Sequence, residues 1–425
     1  MQKIVNGGEM TATMGGNLIF SDGRVENRFL ALPGSITAEA GSVVRLLDVQ
    51  VSDGEIHANG DNSLLELRDS TLTNAVLLTT GAGRIVNTTT AVLDGVMNLG
   101  EFEGADGSTT HLVNNIVNDG TIGIISMEGQ TKAVVRDPRS AGPSTLTLSG
   151  IGELQRVSQS LTTKAAITGA VAQDTLINDA GHTIVGAGEL GKDRLTIVNR
   201  GTIEVSGLID PSTGGLTNEA SGKIQVPDFG SLLITDEAGG DGDLVNRGMI
   251  TVFSSTFLTI DVPNAQNHMD IIANRGEINI DGSTMDPGGT LTAGPGGCIR
   301  LTNVTFKHGD LKALVGGPPF FNEGEIHIDE GLTTFDGDPL VTITGEVSLA
   351  SDSSRHVIIT CPGEHHRPRR YIACNSPRFQ PPISLTQAPP SVTIRQTPTF
   401  TGCPTSLARV GGGSNLSIWP GIVTK

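Results

Sequence analysis

The chain has 425 residues and a formal net charge of −17, with 17% charged and 3% aromatic residues. Proteins that bind nucleic acids normally present a basic face, so this acidic balance argues against a nucleic-acid partner. No apolar run approaches the roughly 18 residues that a membrane-spanning helix needs, so no membrane span is predicted. The Ile, Val and Leu residues recur too regularly for a disordered chain.

Residues 1–175 are predicted to form irregular coils built from short strands with polar corners. Segments such as NSLLELR and GRIVNTTT alternate apolar and polar residues, which is typical of strands with one buried side. The segment RDPRSAGP, from Arg136 to Pro143, predicts a loop that protrudes from one corner.

Residues 176–350 repeat a more regular frame. It consists of two apolar residues, Asn, one variable residue, Gly, another variable residue and then Ile-x-Ile/Val. The copies are IVNRGTIEVSG from Ile197, LVNRGMITVF from Leu244, IANRGEINIDG from Ile272 and FFNEGEIHIDEG from Phe320. The alternation places both apolar residues on one side of a strand. The Asn-x-Gly step is predicted to turn the chain because Gly accepts a positive φ.

The spacing of the frames selects the architecture. They recur about every 19–28 residues with one interval roughly double, a second strand signal lies between them, and no helical stretch intervenes. The sequence therefore predicts an all-β fold, a right-handed parallel β-helix (β-solenoid) of about 13–15 coils. The residues predicted to point into one interior are Ile203, Val205, Ile224, Val226, Ile250, Val252, Ile278, Ile280, Ile326 and Ile328.

The Asn side chains of the frame are predicted to stack at one corner and to hydrogen-bond from coil to coil. The predicted column comprises Asn178, Asn199, Asn218, Asn246, Asn274 and Asn322, with looser copies at Asn6 and Asn118. Replacing Asn246 with Leu should then destabilise the protein more than replacing Thr251, predicted to be exposed, with Ala.

Residues 351–425 differ sharply in composition. They are rich in Pro and Arg, they lack the Asn frame, and their charge balance is the reverse of the body. Pro cannot donate to a sheet ladder, so this tail is predicted to be disordered and not to continue the coil. A linker, a wall-associated tail, out-of-frame sequence and surface disorder all fit this composition.

The variable positions of the frame are predicted to face outwards. They place Glu277 and Asp281 on one coil and Glu325, His327 and Asp329 on another, with one coil between them. Equivalent positions then lie roughly 9–10 Å apart. That is at the upper edge of the roughly 6.5–9.5 Å between the carboxylates of inverting glycosidases. A solvated, non-catalytic face is the main interpretation, and a catalytic group is the alternative.

Two acidic turns are weak calcium candidates. GGDGD from Gly239 contains Asp241 and Asp243, and DGDP contains Asp336 and Asp338. Carboxylate oxygens at such turns can bind calcium, but ordinary Gly/Asp turns are the main interpretation. No other cofactor or metal is predicted.

The frame NRGTIEV, NRGMITV, NRGEINI and NEGEIHI resembles the repeats of large secreted bacterial β-helix proteins. These include filamentous-haemagglutinin-like proteins, autotransporter passenger domains and planctomycete-type surface proteins. The resemblance implies a structural or adhesive segment at the cell surface, with a surface polysaccharide or a neighbouring cell as partner. The alternative is a secreted polysaccharide lyase or glycoside hydrolase on the same scaffold. A monomer is expected, and the absence of an apolar leader before IVNGG suggests a fragment.

Overall fold

The computed structural model describes residues 2–30, 32–158, 165–236, 242–307 and 309–314, followed by the backbone of five further strands. The described residues form an all-β solenoid without a helix. Every strand pairing among them is parallel except in one two-stranded hairpin, formed by Arg28–Phe29 and Leu32–Pro33. The predicted fold class, an all-β parallel β-helix, is confirmed.

Each coil runs along three faces, here named A, C and B in chain order. Faces A and B belong to one 27-stranded sheet, and face C is a separate 16-stranded sheet. Four long strands bend from face B into face A: Asn17–Glu26, Val43–Ser52, Thr183–Gly191 and Thr202–Ile209.

The other strands of face A are Gln2–Val5, Ser70–Thr73, Thr90–Asp94, Thr109–Val113, Lys132–Val135, Ala166–Gly169, Ser231–Thr235, Phe257–Asp261, Glu277–Asp281, Cys298–Thr302, Glu325–Ile328 and Val347–Leu349. Those of face B are Leu64–Arg68, Arg84–Asn87, Glu101–Gly104, Thr121–Ser126, Glu153–Ser158, Lys223–Val226, Met249–Val252, Asp270–Ala273, Gly289–Ala293, Gly309–Ala313 and Thr342–Thr344. Face C comprises Glu9–Ala12, Ser35–Ala38, Glu55–Asn59, Val76–Thr80, Met97–Asn98, Asn115–Asn118, Thr145–Ser149, Asp174–Asn178, Leu195–Asn199, Leu216–Asn218, Leu244–Asn246, Asn264–Asn267, Thr284–Met285, Thr305–Lys307, Leu332–Asp336 and His356–Ile359.

The number of coils slightly exceeds the prediction. Face C has sixteen strands in the described part of the chain, and a strand spacing of about 4.8 Å makes this stack roughly 70 Å long. The last of these strands, His356–Ile359, pairs in parallel with Leu332–Asp336. Face C therefore extends past the boundary predicted at residue 350, and the rest of the predicted tail lies outside the described residues.

The interior is a continuous aliphatic column. Eight of the ten residues predicted to point inwards are fully buried: Ile203, Val205, Ile224, Val226, Ile250, Val252, Ile278 and Ile280. Ile326 and Ile328 lie on a strand whose side chains are not described. Each such burial stabilises the fold by about 1.5–3 kcal/mol relative to exposure. The stacked aliphatic residues fill the interior with few aromatic side chains.

The Gly of the Asn-x-Gly frame is needed for a reason other than the predicted one. Gly201 and Gly248 are buried, and neither has a positive φ. A Cβ atom at Gly201 would lie 2.2 Å from the carbonyl oxygen of His182, and one at Gly248 would lie 2.2 Å from that of Gly222. No side chain fits there, because the backbones of successive coils approach closely at this corner.

The loop predicted at 136–143 contains no strand. It folds back onto face A, where the Arg139 guanidinium lies 3.2 Å from the carboxylate of Asp94. The same guanidinium lies 2.8 Å from Asp137 within the loop. The loop is therefore attached to face A through Asp94, while Asp137 holds the Arg139 side chain within the loop.

Candidate functional site

A line of hydrogen-bonded Asn side chains runs along the corner between faces C and B. This Asn ladder comprises Asn98, Asn118, Asn178, Asn199, Asn218, Asn246 and Asn267. All seven are at most 1% exposed. Each Asn ends a face C strand, so the 4.8 Å stacking of strands brings the amides within hydrogen-bond reach.

The bonds of the ladder all run in one direction. Asn178 Nδ2 donates to Asn199 Oδ1 at 2.8 Å, and the same contact recurs from Asn199 to Asn218. It is repeated from Asn218 to Asn246 and from Asn246 to Asn267, again at 2.8 Å. Asn267 Nδ2 then donates to a main-chain oxygen, that of Gly288. Burying an amide without hydrogen-bond partners costs free energy. Because each amide here bonds to the amide of the neighbouring coil, that cost is avoided and successive coils are linked.

The prediction for Asn274 is wrong. Asn274 is exposed and follows the face B strand Asp270–Ala273, at the corner between faces B and A. Asn267 occupies the expected place in the ladder instead. Asn322 lies outside the described residues.

The prediction for Asn6 is also wrong, because Asn6 lies at a different corner from the Asn ladder. It follows a face A strand, and its Nδ2 donates at 2.7 Å to Asn27 Oδ1 at the corner between faces A and C. Asn27 in turn donates to the main-chain oxygen of Glu55. A second, shorter amide line therefore supports the first coils.

The Asn ladder contains one coil without an Asn. Between Asn118 and Asn178 the intervening coil passes the corner at Gly150–Gly152, and the imidazole of His182 fills the gap. Asn118 Nδ2 lies 3.1 Å from His182 Nε2, and His182 Nδ1 lies 2.7 Å from Asn178 Oδ1. His182 is fully buried, and burial lowers its pKa from 6.5 to about 4.

Glu277, the first of the catalytic candidates, is not accessible to a substrate. Glu277 is 3% exposed, so the prediction that it faces solvent is wrong. Its Oε1 accepts a hydrogen bond from Arg300 Nε at 2.9 Å on the next coil. Asp281 is half-buried at the end of the same strand.

Strand pairing places Glu325 two coils from Glu277, with Cys298 between them, as the spacing predicted. His327 pairs with Arg300 in the same way. The side chains of Glu325 and His327, and the whole of Asp329, lie outside the described part of the chain. These three catalytic candidates therefore stay predictions.

A second carboxylate lies next to Asp281. Ile260 pairs with Ile280, so Asp261 is adjacent to Asp281 across one coil step. Asp261 is exposed, and partial desolvation together with the charge of Asp281 raises its pKa above the ordinary value. Sequence reasoning missed Asp261 because DVPNAQ does not match the Asn frame.

A cavity of about 40 Å³ lies beside Glu277 and is also lined by Thr256, Phe257 and Arg275. Sites for small molecules usually enclose about 300–1,000 Å³. The cavity has room for water and not for a sugar ring. Thr251, which was predicted to be exposed, is 7% exposed and is buried on face B.

The calcium candidates are not brought together in the described residues. Asp243 Oδ1 accepts a hydrogen bond from Asn264 Nδ2 at 2.9 Å. Asp336 is described only as strand backbone, and Asp241 and Asp338 lie outside the described residues. Within the described part of the chain, no group of three His, Cys, Asp or Glu side chains could hold a metal ion.

No protein-family model matches the chain. Over 230 residues it is 27% identical to an uncharacterised lipoprotein, YdeK, of Escherichia coli strain K12. That alignment covers 50% of this chain and 16% of the lipoprotein, so the chain spans a small part of that relative. A solved structure of a TibA fragment, residues 55–350, hyper-glycosylated by TibC, covers 85% of this chain at 12% identity, with a TM-score of 0.38. The described residues include no helix that could cross a membrane.

Proposed function

We propose that this chain is a non-catalytic structural or adhesive segment of an exported or cell-surface bacterial protein. The observation that carries this proposal is the environment of Glu277, the carboxylate central to the enzyme hypothesis. It is buried and held by Arg300 of the neighbouring coil. A general acid or base must reach its substrate within hydrogen-bond distance, and this side chain faces a cavity too small for one.

Other carboxylates on the outer faces are used in the same way. Glu66 Oε2 lies 2.9 Å from Arg45 Nε on the preceding coil. Glu26 Oε1 lies 2.8 Å from Lys3 Nζ, again one coil away. Each exposed pair contributes about 0–1 kcal/mol, so these pairs chiefly fix the alignment of coils. Carboxylates that pair with basic side chains of adjacent coils are expected in a structural solenoid whose corners form the contact surface.

The exported location rests on the sequence resemblance and on the lipoprotein relative. That relative is named a lipoprotein, and this chain aligns with a small part of it. The variable corners of a solenoid are its natural contact surface. The partner we propose is a surface polysaccharide or the surface of a neighbouring cell.

A secreted glycoside hydrolase is the second candidate, and the pair Asp261 and Asp281 is the observation that favours it. Their strands are adjacent and lie about 4.8 Å apart, so the two carboxyl groups are close enough in the backbone to reach the roughly 5–5.5 Å separation of retaining glycosidases. The raised pKa of Asp261 would suit a general acid. Aromatic platforms for sugar rings are scarce, since aromatic residues make up 3% of the chain.

The experiment that separates the two candidates uses the full chain and a panel of bacterial and plant polysaccharides. Release of reducing ends and of unsaturated products is measured together with binding to the same polymers. The structural or adhesive proposal predicts no release of product from any polymer. Depolymerisation that disappears in Asp281→Asn, while the variant keeps its β-sheet circular dichroism, would establish the hydrolase instead.

A further inference from the structure

His182 occupies the one level of the Asn ladder, between Asn98 and Asn267, at which the coil has no Asn. The residue comes from the following coil, four positions after Asn178, and its side chain reaches back across the corner. Asn98 and Asn118 are linked at 2.8 Å on one side, and Asn178 and Asn199 at 2.8 Å on the other. The imidazole is therefore the bridge that joins two separate runs of amides.

The neighbours of His182 leave room for a single protonation state. Asn118 Oδ1 accepts from Asn98, and its Nδ2 also donates to the main-chain oxygen of Glu153. That orientation presents an N–H to His182 Nε2, which must accept. Asn178 Nδ2 donates to the main-chain oxygen of Thr202, so its Oδ1 faces His182 Nδ1, which must donate. The ladder is complete only with a neutral imidazole protonated at Nδ1.

The charged groups at this corner do not favour a proton on His182. The Asp119 carboxylate accepts from the main-chain N–H of Ile151 at 3.0 Å. The Asp179 carboxylate lies 3.6 Å from the Arg200 guanidinium, and both are exposed to solvent. The Glu153 side chain is also exposed. Burial is the sole cause of the lowered pKa of His182, which means that no neighbouring charge contributes to it.

We propose that His182 is an acid-sensitive joint of the solenoid, whose protonation opens the Asn ladder between Asn118 and Asn178. A proton on Nε2 would face the N–H of Asn118, so two donors would oppose each other and a buried charge would have no partner. Both effects favour local opening of the corner. The coils on either side keep their own amide bonds, so the joint opens before the rest of the rod.

The sign of the effect follows from the two pKa values. In the folded protein the pKa is about 4, and an unperturbed imidazole titrates at 6.5. The unfolded chain thus binds more protons between these values, and the stability that His182 contributes is lost as the pH falls through this window. The stability that His182 contributes is fully present above a pH of about 6.5.

The test compares the full chain with His182→Gln, whose side-chain amide can donate and accept but does not titrate. Unfolding by urea is measured from a pH of about 7 down to about 4. The wild-type folding equilibrium constant should fall by up to about 300-fold more than that of the variant over this window. His268→Gln, at an exposed corner position, is the matched control and should follow the wild type. Identical pH profiles for wild type and His182→Gln would overturn the proposal.

A second measurement needs no substitution and covers the case in which His182→Gln does not fold. Nuclear magnetic resonance of protein labelled with ¹⁵N-histidine reports the tautomer of each imidazole. At a pH of about 5, the His182 imidazole, assigned through its contacts with the side chains of Asn118 and Asn178, should remain neutral and protonated at Nδ1. Hydrogen exchange should rise first in peptides that span residues 115–120 and 176–183 as the pH falls further. The proposal fails if the His182 imidazole titrates near its ordinary pKa, or if exchange rises equally around Asn218 and Asn246.

Discussion

Replacement of Asn218 with Leu tests the energetic weight of the Asn ladder. Asn218 is fully buried, and its Oδ1 accepts from Asn199 at 2.8 Å. Its Nδ2 donates to Asn246 Oδ1 at 2.8 Å and to the main-chain oxygen of Met249 at 3.3 Å. Leu is of similar size but offers none of these contacts, so buried groups on both neighbouring coils lose a partner. Each such group costs about 1–3 kcal/mol, and we expect a net loss of about 2–4 kcal/mol.

The assay is urea denaturation followed by β-sheet circular dichroism, with Thr217→Ala as the matched control. Thr217 precedes Asn218 in the same strand, and its side chain is half-buried on the outer side of face C. The control should change stability by no more than about 0.5 kcal/mol. Equal effects of the two substitutions would show that the side-chain contacts of Asn218 do not stabilise the stacked coils.

Three further predictions follow from contacts at the corners and faces. Gly248→Ala should destabilise the protein by about 1–3 kcal/mol in the same urea assay, because its Cβ would meet the main chain of the preceding coil, whereas Gly142→Ala in an open loop should be neutral. Arg300→Met should cost about 3 kcal/mol because it strands the buried Glu277 carboxylate; a loss below about 1 kcal/mol would contradict the buried pair. Acidification from a pH of about 6.5 to about 4 should remove about 3 kcal/mol of stability through His182, measured as the difference from His182→Gln.

The fold class could be predicted because its signal is periodic. Alternating Ile and Val residues, as at Ile203 and Val205, recur at the spacing of one coil, and these side chains are buried where the alternation places them. The repeating step of the chain fixed the parallel stacking. The alternation of apolar residues is therefore sufficient to predict which side chains form the interior.

The particular residues of the corners could not be predicted as well. The Asn-x-Gly frame describes a tight corner, and the solenoid has three corners per coil, so Asn274 satisfies the frame at a different corner from Asn246. Asn267 joins the ladder although His268 and Met269 follow it in place of the x-Gly step. Which corner a frame occupies depends on how many residues the preceding faces consume, and that varies between coils.

The environments of charged side chains were equally hidden from the sequence. Glu277 occupies an outward position, but the Arg300 side chain on the next coil covers it. His182 lies in a frame that would suggest an ordinary turn, and its role depends on an Asn that is missing one coil earlier. Such contacts join residues that are far apart in sequence, so no local pattern indicates them.

One directed line of buried amides, bridged by His182, joins successive coils. Nuclear magnetic resonance with selective Asn labelling tests it directly, because side-chain amide protons of adjacent ladder members would lie close enough for nuclear Overhauser contacts. We expect an unbroken series of contacts through Asn178, Asn199, Asn218, Asn246 and Asn267, with amide protons that exchange slowly. Fast exchange of these protons with solvent, or a series that passes from Asn246 to Asn274 in place of Asn267, would contradict it.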